Sequence, residues 1–353
     1  MRIKKLLAVV LGTVLAISSF GYTSWAAGDD NNSSSVEKFQ FVPGYVASEL
    51  DGNTPVYEDY GMARMLSELP VSYPSSVADI KSKYPDNRNQ NPYGTCWAFS
   101  SLGLAEFDLI NDGAADKNID LSELALAYYT YNSVTDPLGG TVGDTAKYYN
   151  ENSDYSYLNR GGNYQYSSRR LAQWIGATEN TVPYSKANDT IKQGLSGEFA
   201  YSYKDAHLHN VYQINIKENT SGVKEAIMEH GAVGVMYYHS DYNMSWSRKS
   251  DCYTYYDTAW AGGGHAVMIV GWNDNFSKDN FEGLKPSNDG AWLIRNSWGS
   301  YCDYFWMSYD TFSLENTAWV FDFVANDGFD NNYQLDGGIE TYRSFNVLSG
   351  ANV

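Results

Sequence analysis

Cys96 is the residue of this chain best placed to act as a nucleophile. It follows Gly94 and Thr95 and begins a helical pattern in which Ala98 and Leu102 share one face. The unpaired amides and the dipole at a helix N-terminus favour the thiolate, which is the reactive form of cysteine. Taken alone, a cysteine in this position is equally typical of a small residue in an apolar core.

Two later stretches offer a base and a residue that could orient it. His265 lies between Gly264 and Ala266 at the start of an apolar strand pattern, so that it is accessible from a cleft. Asn296 ends a second apolar strand pattern and precedes Trp298. An asparagine there can accept a hydrogen bond from an imidazole N–H while the indole excludes water. Taken alone, His265 is more typical of a core histidine and Asn296 of a turn residue.

The three stretches, in this order, resemble the papain family of cysteine peptidases, whose cysteine motif is C-G-[SA]-C-[WY]. The resemblance runs from residue 90 to about residue 309. It implies an α+β, papain-like two-lobed fold, in which a helical lobe with its central helix starting at Cys96 faces an antiparallel β-sheet or barrel lobe across an active-site cleft. It also implies that Cys96 is the nucleophile, His265 the base, Asn296 the orienting residue and Gln90 part of the oxyanion hole. No cofactor or metal is expected.

The same resemblance assigns residues that bind the substrate. Gly161 and Gly162 are similar to the Gly-Gly pair whose backbone holds the substrate peptide, and Gly264, Ala266 and Trp298 are expected beside the catalytic histidine. The small side chains next to the histidine indicate an open subsite that excludes few substrates.

The cysteines depart from the family pattern. Tyr93 and Tyr129 occupy the two positions of a disulfide that is common in the family, so both halves of that bridge are absent together. Cys302 stands where a second aromatic side chain often shields the asparagine. Cys252 and Cys302 could form a disulfide with each other and leave Cys96 free, but their spacing does not decide this.

The elements that must position these side chains follow from the hydrophobic periodicity. Helices that come first and strands that come later favour an α+β arrangement. We predict helices from Cys96 to about residue 111, over 122–131 with Ser122 as N-cap, over 168–175, and from a Ser221 cap to His230. We predict strands over 211–216, 232–238, 265–272 and 291–295, and a loop over 132–166.

The chain ends indicate secretion and processing. Residues 1–26 have the basic head, apolar run and small residues of a secretory signal peptide, and the apolar run is short for a membrane span. Part of the tail resembles the opening of a lectin-like module that follows the peptidase domain in some bacterial surface peptidases, and its acidic residues lack EF-hand spacing for calcium. We therefore divide the chain into a signal peptide (1–26), an N-terminal extension or inhibitory pro-segment (27–68), a papain-like peptidase domain (69–325), and a linker or the start of a truncated lectin-like module (326–353).

The net charge limits the classes of partner that the protein can bind. The formal net charge of -18 argues against a nucleic-acid partner, because phosphate binding requires a basic surface. We expect a secreted or extracellular bacterial surface protein with no membrane span, which acts on protein or peptide substrates and associates with the cell wall or surface proteins. Two alternatives stay open: a catalytically inactive adhesion protein that keeps the fold, and a transpeptidase in which an amine replaces water at the same triad.

Overall fold

A computed structural model of the chain describes residues 41–45, 69–74, 76–134, 145–146, 156–329 and 332. The predicted signal peptide, most of the predicted extension and nearly all of the predicted lectin-like tail therefore lie outside the described residues. Within the described residues, no helix has both the length and the apolar character needed to cross a membrane.

Helices and strands alternate unevenly along the described chain, with most helices first and most strands later. The α-helices are α1 (Val77–Lys83), α2 (Cys96–Asn111), α3 (Glu123–Tyr131), α4 (Tyr164–Ala172), α5 (Ala187–Gln193) and α6 (Thr220–His230). The strands are β1 (Ser72–Tyr73), β2 (Ala206–Asn215), β3 (Val233–His239), β4 (Met244–Ser247), β5 (Cys252–Tyr255), β6 (Gly263–Asn273), β7 (Ala291–Arg295), β8 (Tyr304–Ser308) and β9 (Thr317–Ala325).

The strands form one mixed sheet in the order β2-β9-β3-β6-β7-β8-β5-β4, and β1 pairs with β6. All neighbouring pairs are antiparallel except β5 with β8, which is parallel. The expected α+β, two-lobed papain-like fold is confirmed, although its sheet is mixed rather than purely antiparallel. The parallel pair arises because β6 and β7 lie between β5 and β8 in the sequence, so that the connection is a crossover rather than a hairpin.

Helix α2 is the central helix of the molecule. Every residue in Cys96–Leu109 is buried, so this stretch of the helix has no solvent-exposed face. Two of its polar residues are buried together with their partners. Glu106 pairs with Arg88, and Asp108 accepts a hydrogen bond from His230. Burial of charged groups in this way requires such partners.

Strand β6 is covered on both faces, which explains its uninterrupted apolar sequence. The even-numbered side chains of residues 266–270 pack into the core that contains α2, and the odd-numbered ones pack into a second core that contains residues of α6. The helix approaches the strand closely at Gly103, where a Cβ atom would lie 2.4 Å from Met268 Sδ. This close packing fixes the N-terminus of α2 against the start of β6.

Several predicted elements are confirmed by the structure. The helix that begins at Cys96 ends at Asn111, and the Ser122 hydroxyl accepts the amide N–H of Ala125 at 3.1 Å as the N-cap of α3. The four predicted strands correspond to parts of β2, β3, β6 and β7.

Two helix starts were predicted wrongly. Helix α4 begins at Tyr164, inside the predicted loop, because the Asn163 side chain caps it by accepting the Tyr166 amide. The first turn of α4 consists of polar and aromatic residues, so it lacks the helical spacing of apolar residues from which a helix is predicted. Helix α6 is capped by Asn219 rather than by Ser221, since the Asn219 side chain accepts the amide N–H of Gly222.

Candidate active site

Cys96 is the first residue of α2 and lies against the start of β6. The N-cap residue Thr95 makes no side-chain hydrogen bond to the helix, so the first amides of α2 are left to face the cysteine. The amide of Ala266 donates to Cys96 Sγ at 3.5 Å. Since Ala266 directly follows His265, this contact brings the predicted nucleophile and the predicted base together where helix and sheet meet.

His265 is held in one orientation by Asn296. Its Nε2 atom lies 2.8 Å from Asn296 Oδ1, and that oxygen also accepts the Ser297 amide N–H at 2.9 Å. Because Oδ1 is an acceptor in both contacts, the proton lies on Nε2. The Nδ1 atom is buried and has no hydrogen-bond partner among the described residues. The imidazole therefore presents an unprotonated nitrogen that is available for proton transfer.

Trp298 covers this pair. Its ring stacks on His265 with centroids 4.9 Å apart and an interplanar angle of 20°, and it is almost fully buried. On the other side of Asn296 lies Cys302, whose thiol pKa is raised to about 12 by burial. Cys302 and Cys252 are both free thiols, as is Cys96, so the disulfide left open by the sequence is absent from the structure.

Gln90 is fully buried. Its Nε2 atom donates to the carbonyl oxygen of Tyr93 at 3.0 Å and, at the limit of hydrogen-bond distance, to that of Val42 at 3.5 Å. Its Oε1 atom accepts from the Ser297 hydroxyl at 2.7 Å. The side-chain amide is thus fixed by its oxygen, and its N–H groups point at peptide carbonyl oxygens.

Residues 41–45, here called the cleft segment, pair with the backbone of the site. The amides of Gly44 and Tyr45 both donate to the carbonyl oxygen of Gly264, at 3.3 Å and 3.2 Å. Tyr45 also forms a parallel bridge with Gly162. A peptide chain of this protein therefore occupies the groove in which the sequence analysis expects substrate to bind.

The cleft segment lies directly over Cys96. A Cβ atom at Gly44 would stand 2.9 Å from Cys96 Sγ and 2.3 Å from the carbonyl oxygen of Gly94. The Phe41 ring packs against His265 with centroids 5.2 Å apart. With the segment in place, both Cys96 and His265 are completely buried.

This burial sets the protonation of the site. Loss of solvent raises the pKa of Cys96 to about 12, although the amides of Ala266, Trp97 and Gly44 act against the rise. Loss of solvent also lowers the pKa of His265 to about 3. The covered site therefore holds a neutral thiol and a neutral imidazole at pH 7. The thiolate expected from the helix N-terminus is not the stable form here, because desolvation outweighs the helix amides.

The residues predicted to bind substrate have different positions in the cleft. Gly162 and Gly264 contact the cleft segment, and Ala266 donates to Cys96 Sγ. Gly161 has a φ of 77°, which favours glycine, and its carbonyl oxygen accepts the Tyr131 hydroxyl at 2.9 Å. It shapes the turn that presents Gly162.

Two residues beside the cleft were missed by the sequence analysis. His239 is one of them, since its ring centroid lies 6.2 Å from that of His265. The Glu315 carboxylate accepts the Tyr45 hydroxyl at 3.4 Å. Only strand pairing could have located His239, because the register of β3 with β6 places it opposite Gly263.

A separate polar group lies near the opposite end of α2. Asp108, His230 and Asp322 have ligand atoms within 4.8 Å of one another. Their carboxylates already accept hydrogen bonds, from the Phe323 amide at 2.5 Å, from His230 and from the Asn210 side chain at 2.7 Å. This group serves as a hydrogen-bond network that joins α2 to α6 and β9.

Comparison with known proteins identifies the family. The profile of the papain family cysteine proteases matches residues 74–313, which is more than half of the chain. The chain belongs to the papain family. The match includes Cys96, His265 and Asn296 within its bounds.

Individual members of the papain family are distant in sequence. A cysteine protease of Blomia tropicalis is 26% identical over 232 residues, which are 62% of this chain and 55% of that protein. The solved structure of the clostridial cysteine protease Cwp84 after propeptide cleavage has a TM-score of 0.60 and 26% identity, and covers 75% of this chain and 61% of that chain.

A second structure contains the cysteine protease and lectin-like domains of Cwp84, described as a surface layer associated protein of Clostridium difficile. It has a TM-score of 0.57 and 25% identity, and the match covers 77% of this chain and 56% of that chain. The chain thus spans between about half and three fifths of the length of these relatives.

Proposed function

We propose that this chain is a secreted cysteine endopeptidase that uses Cys96, His265 and Asn296 as a catalytic triad. The observation that carries the proposal is the orientation of His265, whose Nε2 lies on Asn296 and whose Nδ1 is buried and unpaired, while the amide of the next residue, Ala266, donates to Cys96 Sγ. In this arrangement Nδ1 is the atom that exchanges a proton with the Cys96 thiol.

The reaction proceeds through an acyl-enzyme. The Cys96 thiolate attacks the scissile carbonyl carbon, and the protonated His265 gives its proton to the leaving amine as the C–N bond breaks. Water then attacks the thioester, with His265 as base, and releases the acid product. The amide of Cys96 and the side chain of Gln90 stabilise the oxyanion. Asn296 keeps the imidazole in the tautomer that the reaction needs.

The cleft segment holds the enzyme latent until it is removed. Its backbone occupies Gly162 and Gly264, and it excludes the water and the substrate that the reaction requires. Its presence also removes the charge from both catalytic groups, because the buried thiol and imidazole are each neutral at pH 7. Activation must therefore expose the cleft before the thiolate and imidazolium can form.

Bacterial surface proteins are the proposed substrates. The amino-terminal pattern of a signal peptide and the structural similarity to Cwp84, a surface layer associated protein, support this location. N-terminal sequencing of the protein recovered from the culture medium and from the cell wall tests the proposed secretion. A protein that stays inside the cell and keeps residues 1–26 would contradict the secretion.

Labelling by an epoxysuccinyl probe, followed by mass spectrometry, tests the chemistry. We expect the activated enzyme to be labelled at Cys96 and to lose peptide turnover, and we expect Cys96→Ala to show neither labelling nor turnover. Cys252→Ala is the matched control, because Cys252 is a free, partly exposed thiol outside the cleft, and it should retain both. An activated, folded enzyme that neither reacts at Cys96 nor cleaves peptides would refute the proposal.

A further inference from the structure

His239 forms the floor of a hollow that the cleft segment fills with an aromatic ring. The Phe41 ring packs edge-on against His239 with centroids 4.7 Å apart, and it also contacts His265 and Trp298, at 5.2 Å and 5.7 Å. Trp298 in turn packs against His239 at 4.9 Å. The rings of His239, His265 and Trp298 therefore surround the ring of Phe41.

Both ring nitrogens of His239 already have polar partners. Its Nδ1 atom lies 3.0 Å from the Tyr237 hydroxyl, and its Nε2 atom lies 2.9 Å from Asp241 Oδ1. These two contacts fix the plane of the ring, and burial lowers its pKa, so that it stays neutral. His239 therefore presents a rigid, uncharged aromatic surface to a side chain that packs against it.

The reaction identifies which side of the scissile bond this hollow serves. In the proposed mechanism His265 protonates the leaving amine, so the departing half of the substrate must lie on the His265 side. Phe41 packs on His265, whereas Tyr45, at the other end of the cleft segment, pairs with Gly162. The hollow that holds Phe41 is therefore on the leaving-amine side.

We infer that His239 is a specificity-determining residue, which with Trp298 forms a subsite for an aromatic side chain in the first two residues of the leaving half of the substrate. The inference rests on the proposed peptidase function and adds a substrate preference to it. Aromatic pairs prefer the edge-on geometry seen for Phe41 and gain free energy beyond simple burial. A carboxylate or ammonium group in the same hollow would lose its hydration against three rings.

The test uses the full-length chain after activation, with its active sites titrated by the epoxysuccinyl probe. Peptides that differ only in the first or the second residue after the scissile bond carry Phe, Ala, Asp or Lys there. We expect kcat/KM for Phe to exceed that for Ala, Asp and Lys by about tenfold at one of the two positions, mainly through KM. This first measurement uses only the wild-type enzyme.

Substitution then assigns the preference to His239. His239→Gln keeps groups that can bond to Tyr237 and Asp241 but lacks the ring, and we expect its preference for Phe to fall to about twofold or less. His239→Ala, as a second variant, should behave in the same way, and the circular dichroism of each variant reports its folding. His209→Ala is the matched control, since His209 is exposed on β2, and it should keep the full preference.

The outcomes separate this inference from the proposed function. Turnover of all peptides at similar rates by an enzyme that is labelled at Cys96 would overturn the subsite and leave the peptidase intact. A preference for Phe that survives in folded His239→Gln or His239→Ala would overturn the role of His239. A folded, activated chain with no labelling and no turnover would instead refute the peptidase itself.

Discussion

Gly44→Ala should release the cleft segment from the active site. The added Cβ atom would lie 2.3 Å from the carbonyl oxygen of Gly94 and 2.9 Å from Cys96 Sγ. The first of these neighbours is backbone at the start of the buried helix α2 and has little freedom to move. Among the described residues, the segment is held by hydrogen bonds of its backbone and of the Tyr45 hydroxyl and by the packing of Phe41, whereas α2 is locked into the core, so the segment rather than α2 must shift.

The expected size of the effect follows from the thiol pKa. With a pKa of about 12, the covered Cys96 is ionised in only about one molecule in 10⁵ at pH 7. An unperturbed thiol with a pKa of about 8.5 is ionised to about 3% at that pH, which is roughly 10³-fold more. Exposure should therefore raise the intrinsic reactivity of Cys96 by about three orders of magnitude, before the contribution of an imidazolium partner is added.

The assay is the rate of labelling of the unprocessed, full-length chain by an epoxysuccinyl probe, followed by mass spectrometry between pH 5 and pH 10. For the wild-type chain, labelling should be slow and should rise steadily with pH, because a raised thiol pKa means that the thiolate forms only as pH approaches it. For Gly44→Ala, labelling should be fast at pH 7, and its rate should reach a plateau at a lower pH than the rate of the wild-type chain.

Gly176→Ala is the matched control for this experiment. A Cβ atom at Gly176 would meet its nearest neighbour, Tyr203 Cβ, at 3.8 Å, which is an ordinary contact. This variant should label at the wild-type rate. If folded Gly44→Ala also labels at the wild-type rate and with the wild-type pH profile, then the cleft segment does not control access to Cys96 and the reasoning is refuted.

Three further predictions concern the site and its supporting core. Asn296→Ala should lower kcat of the activated enzyme by about 10- to 100-fold with little change in KM, because it releases the imidazole of His265; an unchanged kcat would exclude this orienting role. Gln90→Ala should lower kcat by about 10² because the proposed oxyanion donor is lost; steady-state kinetics that show a changed KM and an unchanged kcat for the folded variant would contradict it. Tyr164→Phe should destabilise the fold by about 1–3 kcal/mol in urea unfolding, because its buried hydroxyl donates to the carbonyl of Val267 at 2.8 Å; an unchanged midpoint would show that this bond contributes nothing.

The sequence was enough to indicate the family and the elements that start or end at the predicted triad residues. The order of the Cys96, His265 and Asn296 stretches indicated the papain family, and local signals placed the N-terminus of α2 and the cap of α3 correctly. Such signals work because helix starts and buried strands depend on neighbouring residues in the chain. The strand that carries His265 was readable for the same reason, since both of its faces are apolar.

What lies on top of the site and beside it could not be predicted from the sequence. The position of Gly44 over Cys96 and the packing of His239 beside His265 depend on contacts between residues far apart in the sequence. No local pattern encodes such contacts, because they arise from strand register and from the path of the chain across the sheet. The protonation of the site is likewise a tertiary property. The helix N-terminus favours a thiolate, but the burial of Cys96 by the cleft segment reverses that preference.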